Sequence, residues 1–537
     1  MKLVTGEQMR RIEAACVENL GIPTLVLMEN AAVSAAERCF DYLSRFEEPR
    51  AAVVAGPGSN GGDGLAIARQ LAAKGVRTEV IFVGRMDNAR GDCLINLNIA
   101  KNMRIPIIEA AEAAPGDEGD HAARERIFEQ IAEKLGRAQL TVDSLLGTGA
   151  SRALEGVYER AVGLINSHSN YVIAVDIPSG VDSASGGILG AAVRADETVT
   201  FGFGKLGLYL YPGAERAGRI TCRGICIPGG LADAAGVKTF ILSGDEIGKM
   251  LPARPANSNK GTFGRSYVFA GCSEMTGAAA LCCKAIYKTG GGLVTACAVE
   301  EAARVIHNLS PETITRILPD VDGCLCGRSA DLIADETEKA DCVVIGPGIG
   351  TKPQCGEFMR NLIANLAGGR AGCPLVIDAD GLNLLSKDMA LFDGIKNSGR
   401  PCVITPHPGE MARLTGLSAG AVLDDAIGTA QRFAMRYGAV TVLKGARTIV
   451  ADPGGDTYIN TTGGPALAKA GSGDALTGMI CAFISQGRDC FTAAVLGTYV
   501  HGRAGELAAR DLSPYGVNAG DCINYIPLAL RELALNK

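Results

Sequence analysis

The chain has 537 residues, of which 47% are hydrophobic and 20% charged, a composition typical of a globular protein with two or more domains. Its formal net charge of −6 argues against general nucleic-acid binding. The amino terminus has no apolar signal segment, and we find no uninterrupted apolar run of about 18 residues, so we expect a soluble cytoplasmic protein. The 18 cysteines include no CxxC pair, which favours free thiols in a reducing compartment.

The first half of the chain begins with two predicted helices in residues 5–46, and Thr5 and Gln8 fit a capping box at their start. Strand-like and helical segments then alternate, which predicts a mostly parallel sheet covered by helices. The predicted strands of this half are residues 51–55, 77–83, 139–142, 171–175 and 198–201. The acidic, alanine-rich segment 110–126 is expected to be a surface excursion.

The alternation of strand-like and helical segments stops near residues 229–236. This break predicts a boundary between a domain of residues 1–232 and a second domain of residues 239–537. A second alternating series follows the lapse and predicts another α/β domain. Its predicted strands are residues 266–270, 292–298, 341–345, 374–377, 402–405 and 440–443.

A glycine-rich loop, Gly56-Pro-Gly-Ser-Asn-Gly-Gly-Asp-Gly, follows the strand 51–55 and precedes a helix. At the carboxyl end of a parallel strand, such a loop is a common ligand position. It matches neither GxGxxG nor the P-loop motif, so it does not support a simple nucleotide site of either kind. Asn60 and Asp63 add side-chain oxygens beside the exposed backbone.

Two other predicted strands of this half lead into aspartates, Asp143 before Ser-Leu-Leu-Gly-Thr-Gly and Asp176 before Ile-Pro-Ser-Gly. Either aspartate alone could cap the next helix. Because several strands end this way, we favour a shared site in which oxygen-rich loops hold a hard cation.

These three segments together resemble NAD(P)H-hydrate epimerases over roughly residues 1–230, although Ser59 replaces the first Asn of that family's usual loop. We expect a Rossmann-like three-layer α/β/α domain. The resemblance implies a K⁺ ion held around Asn60, Asp143 and Ser179. It also implies substrate contacts from Ser59, Asn60, Gly61, Gly62, Asp63, Gly147, Thr148, Gly149, Ala150, Ser151, Arg152, Ala153, Tyr158 and Asp176.

The implied reaction inverts C6 of a hydrated nicotinamide ring, which is a carbinolamine carbon. Ring opening, or loss and re-addition of water, would invert it, and either route needs a group that moves a proton. Asp176 is our candidate for that group, with Lys205 as a possible second. A lysine after a strand is more usually a solvated surface residue.

The second half contains Ala468-Lys-Ala-Gly-Ser-Gly-Asp before an apolar helical segment. Gly471 and Gly473 permit a tight turn whose N–H groups face one point, and the following helix adds the positive end of its dipole. This arrangement suits an anion, and Asp474 is placed as a base acting on a hydroxyl beside a phosphoryl group. The alternative is a helix N-cap after a glycine turn.

Other predicted strand ends in this half carry the loop 346–350, the pair Asp378 and Asp380, His407 between two prolines, and Lys444. Singly, the aspartates could be caps and the histidine a turn residue, whereas a lysine leaving a strand is disfavoured unless it is paired or bound. In this order along the chain, the motifs resemble ADP/ATP-dependent NAD(P)H-hydrate dehydratases of the ribokinase-like fold over roughly residues 240–530.

That resemblance implies substrate contacts from Ala278, Gly346, Gly348, Gly350, His407 and Asp474. It implies adenine-nucleotide contacts from Lys444, Gly445, Ala446, Arg447, Thr448, Gly471, Ser472 and Gly473. We expect Asp474 to take the proton from the C6 hydroxyl as this attacks the terminal phosphoryl group of ADP or ATP, before phosphate leaves. Mg²⁺ is expected to bridge the nucleotide phosphates, with protein ligands that the sequence does not identify.

An epimerase followed by a dehydratase resembles the bifunctional NAD(P)H-hydrate repair enzymes. The expected partners are the hydrates of NADH and NADPH, an adenine nucleotide and further copies of the chain in a homo-oligomer, with no nucleic acid or membrane. Two alternatives remain. The second half could be a small-molecule kinase for a vitamin or a sugar, which would release a phosphorylated product, and the first half could be a non-catalytic nucleotide sensor.

Overall fold

The computed structural model describes residues 1–111, 121–368 and 372–535. The chain divides into two compact units, Met1–Lys238 and Thr239–Lys537, here called unit 1 and unit 2. Each unit is built around a mostly parallel sheet, so the predicted α/β class is confirmed. Among the helices described here, none is both long enough and apolar enough to cross a bilayer.

The main sheet of unit 1 has the strand order β4-β3-β2-β5-β6-β7-β9 and is parallel throughout, while β1 and β8 form a separate parallel pair. The predicted strands are confirmed within two residues, whereas the sheet edges β4 and β9 were not predicted. The strands are β1 Leu3–Val4, β2 Arg50–Ala55, β3 Arg77–Val83, β4 Ile107–Ala110, β5 Leu140–Ser144, β6 Val172–Val175, β7 Glu197–Phe201, β8 Gly204–Lys205 and β9 Arg219–Arg223.

Helices cover both faces of this sheet, which gives the expected three layers. Alternate residues of the strands face opposite cores: Val53 packs with the helices α1 to α4, and Val54 packs with α5 and α6. The predicted capping box at the start of α1 is confirmed. The helices are α1 Gly6–Leu20, α2 Thr24–Leu43, α3 Ser59–Ala73, α4 Gly91–Asn102, α5 His121–Arg137, α6 Gly156–His168 and α7 Gly230–Ala234.

The segment 110–126 was expected to be a surface excursion, and its described ends correct that expectation. Ala110 ends β4, and α5 already begins at His121, while residues 112–120 lie outside the described residues. The apolar periodicity that reveals α5 starts only after the acidic stretch, at Phe128 and Ile131, which are buried against the sheet.

The strand order of unit 1 reverses between β2 and β5. From β2 the chain proceeds to β3 and β4 on one side, and from β5 it proceeds to β6, β7 and β9 on the other. The loops that leave two such strands diverge and open a crevice at their carboxyl ends. The loops singled out in the sequence therefore lie at the crevice of this sheet.

Unit 2 contains a larger sheet of strand order β10-β21-β20-β19-β18-β17-β16-β11-β12-β13, which is parallel from β19 to β13. The predicted strands are confirmed, whereas β13 at the edge and the antiparallel strands β20 and β21 were missed. The strands are β10 Thr239–Phe240, β11 Arg265–Phe269, β12 Leu293–Ala298, β13 Ile314–Ile317, β14 Asp320–Val321, β15 Cys324–Leu325, β16 Cys342–Ile345, β17 Leu375–Ile377, β18 Cys402–Ile404, β19 Val440–Leu443, β20 Ile449–Ala451 and β21 Thr457–Ile459.

The strand order of unit 2 reverses between β11 and β16, and the helix α19 packs on the sheet beside that point, against β11, β16 and β17. The amino end of α19 therefore lies near the crevice that this reversal creates. The helices are α8 Gly244–Met250, α9 Thr276–Lys288, α10 Glu300–Leu309, α11 Gly327–Asp331, α12 Ala334–Thr337, α13 Pro353–Gly368, α14 Asp380–Leu385, α15 Ala390–Asn397, α16 Pro408–Thr415, α17 Ala419–Asp424, α18 Ala426–Tyr437, α19 Ser472–Ser485, α20 Cys490–Leu512 and α21 Ala519–Leu535.

Candidate active sites at two sheet crevices

In unit 1 a glycine loop connects β2 to α3, and its backbone packs so closely against neighbouring atoms that it leaves no room for a Cβ atom at two positions. A Cβ atom on Gly61 would lie 1.8 Å from the carbonyl oxygen of Gly56, and one on Gly64 would lie 1.8 Å from Ser144 Oγ. Only glycine permits this approach, which seats α3 directly on β2 and β5. No side chain among the described residues caps α3. Its first-turn N–H groups can therefore donate to an anion in the crevice.

Three side chains predicted as cation ligands meet around Leu146. Ser179 donates to the buried carboxylate of Asp143 through both its N–H, at 2.8 Å, and its hydroxyl, at 2.6 Å. Leu146 N–H donates to Ser179 Oγ at 2.9 Å, and Asn60 Nδ2 donates to the carbonyl of Leu146 at 3.0 Å. Asn60 Oδ1 is buried and has no hydrogen-bond partner among the residues described. An unsatisfied buried oxygen close to a carboxylate suits a bound cation.

Lys205, which is buried, and Asp176, which is partly exposed, form an ion pair at the ends of β8 and β6. The Lys205 side chain is 1% exposed, donates to the carbonyl of Phe201 at 2.8 Å and lies 2.5 Å from Asp176 Oδ1. Lys205 is therefore not the solvated residue that a lysine after a strand usually is. The backbone of Asp176 has a φ of 68°, a left-handed conformation uncommon for aspartate, held by a hydrogen bond from its N–H to the carbonyl of Val199. Such a conformation is often found at functional sites.

Two more carboxyl groups share the electrostatic field of this pair. Burial raises the pKa of Glu13, and the charge of Asp176 adds to that effect. Burial also raises the pKa of Asp63 well above its usual range, again with Asp176 and Glu13 contributing. In both cases Lys205 opposes the rise. Glu13 was missed in the sequence because the helix α1 around it shows only an amphipathic pattern.

The other residues of unit 1 that were predicted to contact the substrate lie in two places, one beside Asn60 and one beside Gly84. Gly147 packs against Asn60, since a Cβ on Gly147 would lie 3.0 Å from the Cβ of Asn60. Tyr158 instead lies beside Gly84, at the end of the neighbouring strand β3, where a Cβ on Gly84 would be 2.7 Å from the tyrosine hydroxyl. The exposed members of the loop after β5 are Gly149, Ser151, Arg152 and Ala153. The loop thus offers an accessible rim beside the buried oxygens.

In unit 2 the turn before α19 has the geometry that the glycine pattern predicts. Gly471 has a φ of 85° and occupies the N-cap position, so Asp474 is the third residue of the helix and not its cap. No described side chain caps this helix end. Ser472 Oγ lies 3.1 Å from Nε2 of His501, a residue of α20 that the sequence did not single out. The N–H of Ser472 donates to the carbonyl of Lys469 at 3.3 Å, and the other backbone donors of the turn are left to an anion.

Lys444 reaches back from the end of β19 to the end of β17. Its Nζ donates to Asp378 Oδ1 at 2.7 Å and lies 3.8 Å from Glu410 Oε2. The second oxygen of Asp378 accepts a 2.7 Å hydrogen bond from the hydroxyl of Thr477 on α19. Nζ also lies close to the turn Gly471–Gly473 before α19, here called the anion turn, since a Cβ on Gly473 would be 3.2 Å from Nζ. Asp378 is therefore an ion-pair partner and not a helix cap.

The carboxyl group of Asp474 has the electrostatics of a proton acceptor. Burial raises its pKa to about 6, the charge of Asp378 adds to the rise, and Lys444 opposes it. Burial alone would also raise the pKa of Asp378, but its direct bond from Lys444 holds that pKa below the usual range. Two aspartates in one crevice thus differ in basicity, and Asp474 is the better base of the two.

His407 caps the helix α16 through its ring. Its Nδ1 accepts from the N–H groups of Gly409, at 3.0 Å, and Glu410, at 3.3 Å. In turn, the backbone N–H of His407 donates a hydrogen bond to the Glu410 carboxylate at 2.8 Å. Burial, and then the charge of Lys444, lower the pKa of His407. Because Nδ1 accepts these bonds, the neutral form of the ring carries its proton on Nε2, which lies 3.4 Å from Glu410 Oε1, and half of the side chain is exposed.

The loop after β16 is shaped by three glycines in left-handed conformations, Gly346, Gly348 and Gly350. A Cβ on Gly348 would lie 3.1 Å from the Cβ of Ala278, so the predicted substrate residues of α9 and of this loop are neighbours. The N–H of Gly350 donates to Asp380 Oδ2 at 3.0 Å. The loop is thereby tied to the end of β17, which also carries Asp378.

The segment 444–448 forms the turn between β19 and β20. Arg447 donates to the carbonyl of Thr461 at 2.7 Å, and Thr448 accepts from Asn460 N–H at 2.9 Å. The predicted nucleotide residues thus occupy one turn that begins at Lys444. Within the described ranges, no group of three or more His, Cys, Asp or Glu side chains has the geometry of a metal site.

Each unit matches a different protein-family model, and the whole chain matches known proteins that contain both units. Residues 266–528 match the family model of NAD(P)H-hydrate dehydratase, and residues 24–207 match that of the YjeF-related protein N-terminus. Over 535 residues the chain is 36% identical to the bifunctional NAD(P)H-hydrate repair enzyme Nnr of Moorella thermoacetica, covering 99% of this chain and 97% of that one. The enzyme of the same description from Thermofilum pendens is 36% identical over 534 residues, with the same two coverages.

Among solved structures, the chain is similar to ADP/ATP-dependent NAD(P)H-hydrate dehydratase from Bacillus subtilis co-crystallized with ATP/Mg²⁺. The two are 28% identical with a TM-score of 0.46, and the match covers 55% of this chain and 98% of that one.

Proposed function

The chain belongs to the family of bifunctional NAD(P)H-hydrate repair enzymes, and we propose that its two units catalyse successive steps of that repair. Unit 1 interconverts the R and S hydrates of NADH and NADPH at C6. Unit 2 dehydrates the S form at the expense of ADP or ATP. The observation that carries this proposal is the position of Asp474, a base of raised pKa in the first turn of an uncapped helix that can hold phosphate.

In unit 1 we assign proton transfer to the ion pair of Asp176 and Lys205. Loss of the C6 hydroxyl as water consumes one proton, and the ring nitrogen supplies the electrons that expel it. Re-addition of water to the opposite face of the ring returns the proton. An ammonium and a carboxylate 2.5 Å apart can serve as acid and base in turn, so the exchange runs in both directions.

A cation fits the donor set of unit 1. Asn60 Oδ1 is buried without a partner among the described residues, and Asp143 and Ser179 supply further oxygens nearby. We propose that these three residues would hold K⁺, which would supply positive charge to this part of the crevice. The first turn of α3 and the rim 147–153 are the proposed binding surface for the rest of the nucleotide.

In unit 2 Asp474 takes the proton from the C6 hydroxyl as that oxygen attacks the terminal phosphoryl group of the nucleotide. The N–H groups of the turn Gly471–Gly473 stabilise the charge that develops on phosphate, and Lys444 adds a cation beside them. Departure of inorganic phosphate from C6, with loss of a proton from C5, restores the ring double bond. Phosphate is a far better leaving group than hydroxide, which explains the need for a nucleotide. Mg²⁺ bound with the nucleotide would supply positive charge to its phosphates.

The dehydratase substrate is proposed to lie between Ala278, the glycine loop 346–350 and His407. The neutral ring of His407 offers its Nε2 proton as a donor, because Nδ1 is already bonded to backbone N–H groups. The adenine nucleotide is assigned to the turn 444–448 and to the anion turn. These roles agree with the positions of the side chains at one crevice.

A kinase would share the phosphoryl transfer but release a phosphorylated product. The full-length relatives do not favour that alternative. The test is stoichiometry: with the S hydrate and ATP, we expect one inorganic phosphate for each NADH or NADPH recovered. Accumulation of a phosphorylated organic product without recovery of the reduced nicotinamide would contradict the proposal.

We further propose a cytoplasmic homo-oligomer. Nearly all the cysteines are buried free thiols, which suits a reducing compartment. Exposed apolar side chains on α1 and α2, at Val17, Leu20, Val26 and Val33, offer a surface for self-association. A single monomeric mass in light scattering across micromolar concentrations would contradict the oligomer.

A further inference from the structure

We propose that Asp378 is a positioning residue of the dehydratase site, which holds the ammonium of Lys444 away from Asp474 and so leaves the Asp474 carboxylate unpaired for catalysis. The inference rests on the proposed function of unit 2. It assigns Asp378 a role that does not require contact with substrate or nucleotide.

The contacts of Asp378 connect three elements at the crevice. The side chain is 1% exposed, and both of its oxygens are occupied, one by Lys444 Nζ at 2.7 Å and one by Thr477 Oγ1 at 2.7 Å. Thr477 lies three residues after Asp474, so both belong to the same face of α19. Asp378 therefore fixes the lysine of β19 relative to the helix that carries the base.

Lys444 has more than one acidic neighbour, and its position shows which one it pairs with. Nζ is 2.7 Å from Asp378 but 3.8 Å from Glu410, whose carboxylate also accepts from the N–H of His407. The charge of Asp474 also acts on Lys444. In the described part of the chain, however, no Lys or Arg nitrogen forms an ion pair with Asp474. The lysine is thus near the base without neutralising it.

A carboxylate that accepts a proton on its own, without an ammonium that exchanges roles with it, would be a weaker base if it were locked in an ion pair. If Asp378 lost its charge, Lys444 would lose its nearest partner while remaining against the turn of Gly473. Asp474 would then become an available partner. The titratable and charged groups around Asp474 and Lys444, from every element near them, are Asp378, Asp380, His407, Glu410, His501 and Cys282.

The pKa directions agree with this geometry. Asp378 raises the pKa of Asp474, and Lys444 lowers it. Asp378→Asn removes the negative charge that raises the pKa of Asp474 and frees Lys444, which lowers it, so the pKa of Asp474 must fall. The unprotonated form would then persist to lower pH, but as a weaker acceptor for the proton of the C6 hydroxyl.

The test is the pH dependence of kcat for the S hydrate at saturating ATP, measured on the full-length Asp378→Asn protein. We expect the acid limb to move to lower pH by about one unit or more and the plateau to fall by roughly 10- to 100-fold. Thr477→Val is the matched control, because it removes the other bond to Asp378 without changing a charge. Its acid limb should stay at the wild-type position.

Two further variants separate positioning from a merely structural effect. Asp378→Glu retains the carboxylate and should keep the acid limb near its wild-type position. The double variant Asp378→Asn, Lys444→Met has no ammonium left to pair with Asp474, so its acid limb should return toward higher pH. If Asp378→Asn does not fold, Asp378→Ser takes its place and must show the same displacement.

An acid limb that stays at its wild-type position in Asp378→Asn or Asp378→Ser would overturn the inference. An equal displacement in Thr477→Val would also overturn it, because the effect would then follow the loss of a hydrogen bond to Asp378 and not the loss of its charge. If the wild-type protein recovers no reduced nicotinamide from the S hydrate, the proposed function fails instead.

Discussion

The two crevices use a similar pair of residues in opposite ways. Each has a lysine bonded to an aspartate that follows a strand, Lys205 with Asp176 at 2.5 Å and Lys444 with Asp378 at 2.7 Å. In unit 1 the candidate acid and base are the pair itself. In unit 2 the candidate base, Asp474, lies outside the pair.

The difference suits the two proposed reactions. An epimerisation runs in both directions and needs a donor and an acceptor that exchange roles, which an ion pair supplies. Phosphorylation of a hydroxyl needs one acceptor of raised pKa that no cation neutralises. We therefore propose that the same Lys–Asp arrangement takes part in the chemistry of unit 1 and supports the base in unit 2.

The largest expected effect is on dehydration when Asp474 is removed. Asp474→Asn keeps the size of the side chain but cannot accept the proton, so kcat for the S hydrate should fall by about 10²–10⁴-fold. Nucleotide binding, measured by calorimetry, should persist because the turn donors belong to the backbone. Epimerisation by the same protein is the internal control. Wild-type turnover would exclude Asp474 as the base.

A comparable test in unit 1 breaks the ion pair itself. Asp176→Ala should reduce epimerisation by about 10²-fold or more, because the exchange loses its acceptor. Circular dichroism should show a folded protein, although the variant is expected to be less stable because the buried ammonium of Lys205 loses its carboxylate partner. Dehydration of the pure S hydrate serves as the control. Normal epimerisation in this variant would remove Asp176 from the mechanism.

The pH dependence sharpens the comparison, because only unit 2 relies on an unpaired carboxylate. Burial raises the pKa of Asp474 to about 6, and the reaction needs the unprotonated form. Dehydration should therefore be level above that pH and fall by ~tenfold per unit below it. The wild-type rate is measured from pH 4.5 to pH 8. A rate that stays constant down to about pH 5 would contradict the assignment.

The smallest effect concerns the seating of α3 in unit 1. A Cβ on Gly61 would lie 1.8 Å from a carbonyl oxygen, so Gly61→Ala should lower the free energy of unfolding by about 1–3 kcal/mol. Gly58→Ala is the matched control, because no atom lies within 4 Å of its added Cβ and its φ is −90°. It should change stability by less than about 0.5 kcal/mol. Chemical denaturation of the two variants checks this, and equal stability would contradict the described clearance.

Much of the fold was predictable because both sheets are mostly parallel and buried. Their strands are continuous apolar runs that end in glycine or aspartate, such as the strand before Asp143. The edge strands were missed for the opposite reason. The edge strand β9 contains Arg219 and Arg223 at its ends and is only partly buried, and the edge strand β13 is mostly exposed. The antiparallel strands β20 and β21, which lie inside the sheet of unit 2, were also missed, and they are only three residues each.

The predicted site residues lie at strand ends, in the loops that follow them or in the first turn of the next helix, and the missed ones lie further inside helices. Glu13, Thr477 and His501 sit in segments whose pattern indicates nothing but helix. Their contacts are long-range: the bond between Thr477 and Asp378 joins residues 99 positions apart. The burial of Lys205 was also beyond the sequence, because it depends on a strand of only two residues, β8. The roles of all these residues stay predictions until variants are measured.

The central claim is that two separate sites repair both hydrates. We would follow the absorbance of reduced nicotinamide with a mixture of R and S hydrates, ADP or ATP, K⁺ and Mg²⁺. Wild-type protein should restore the full amplitude, whereas Asp176→Ala should rapidly restore only the S fraction, with the rest appearing at the spontaneous rate. Full rapid recovery in Asp176→Ala, or recovery of only one epimer by the wild-type protein, would contradict the account.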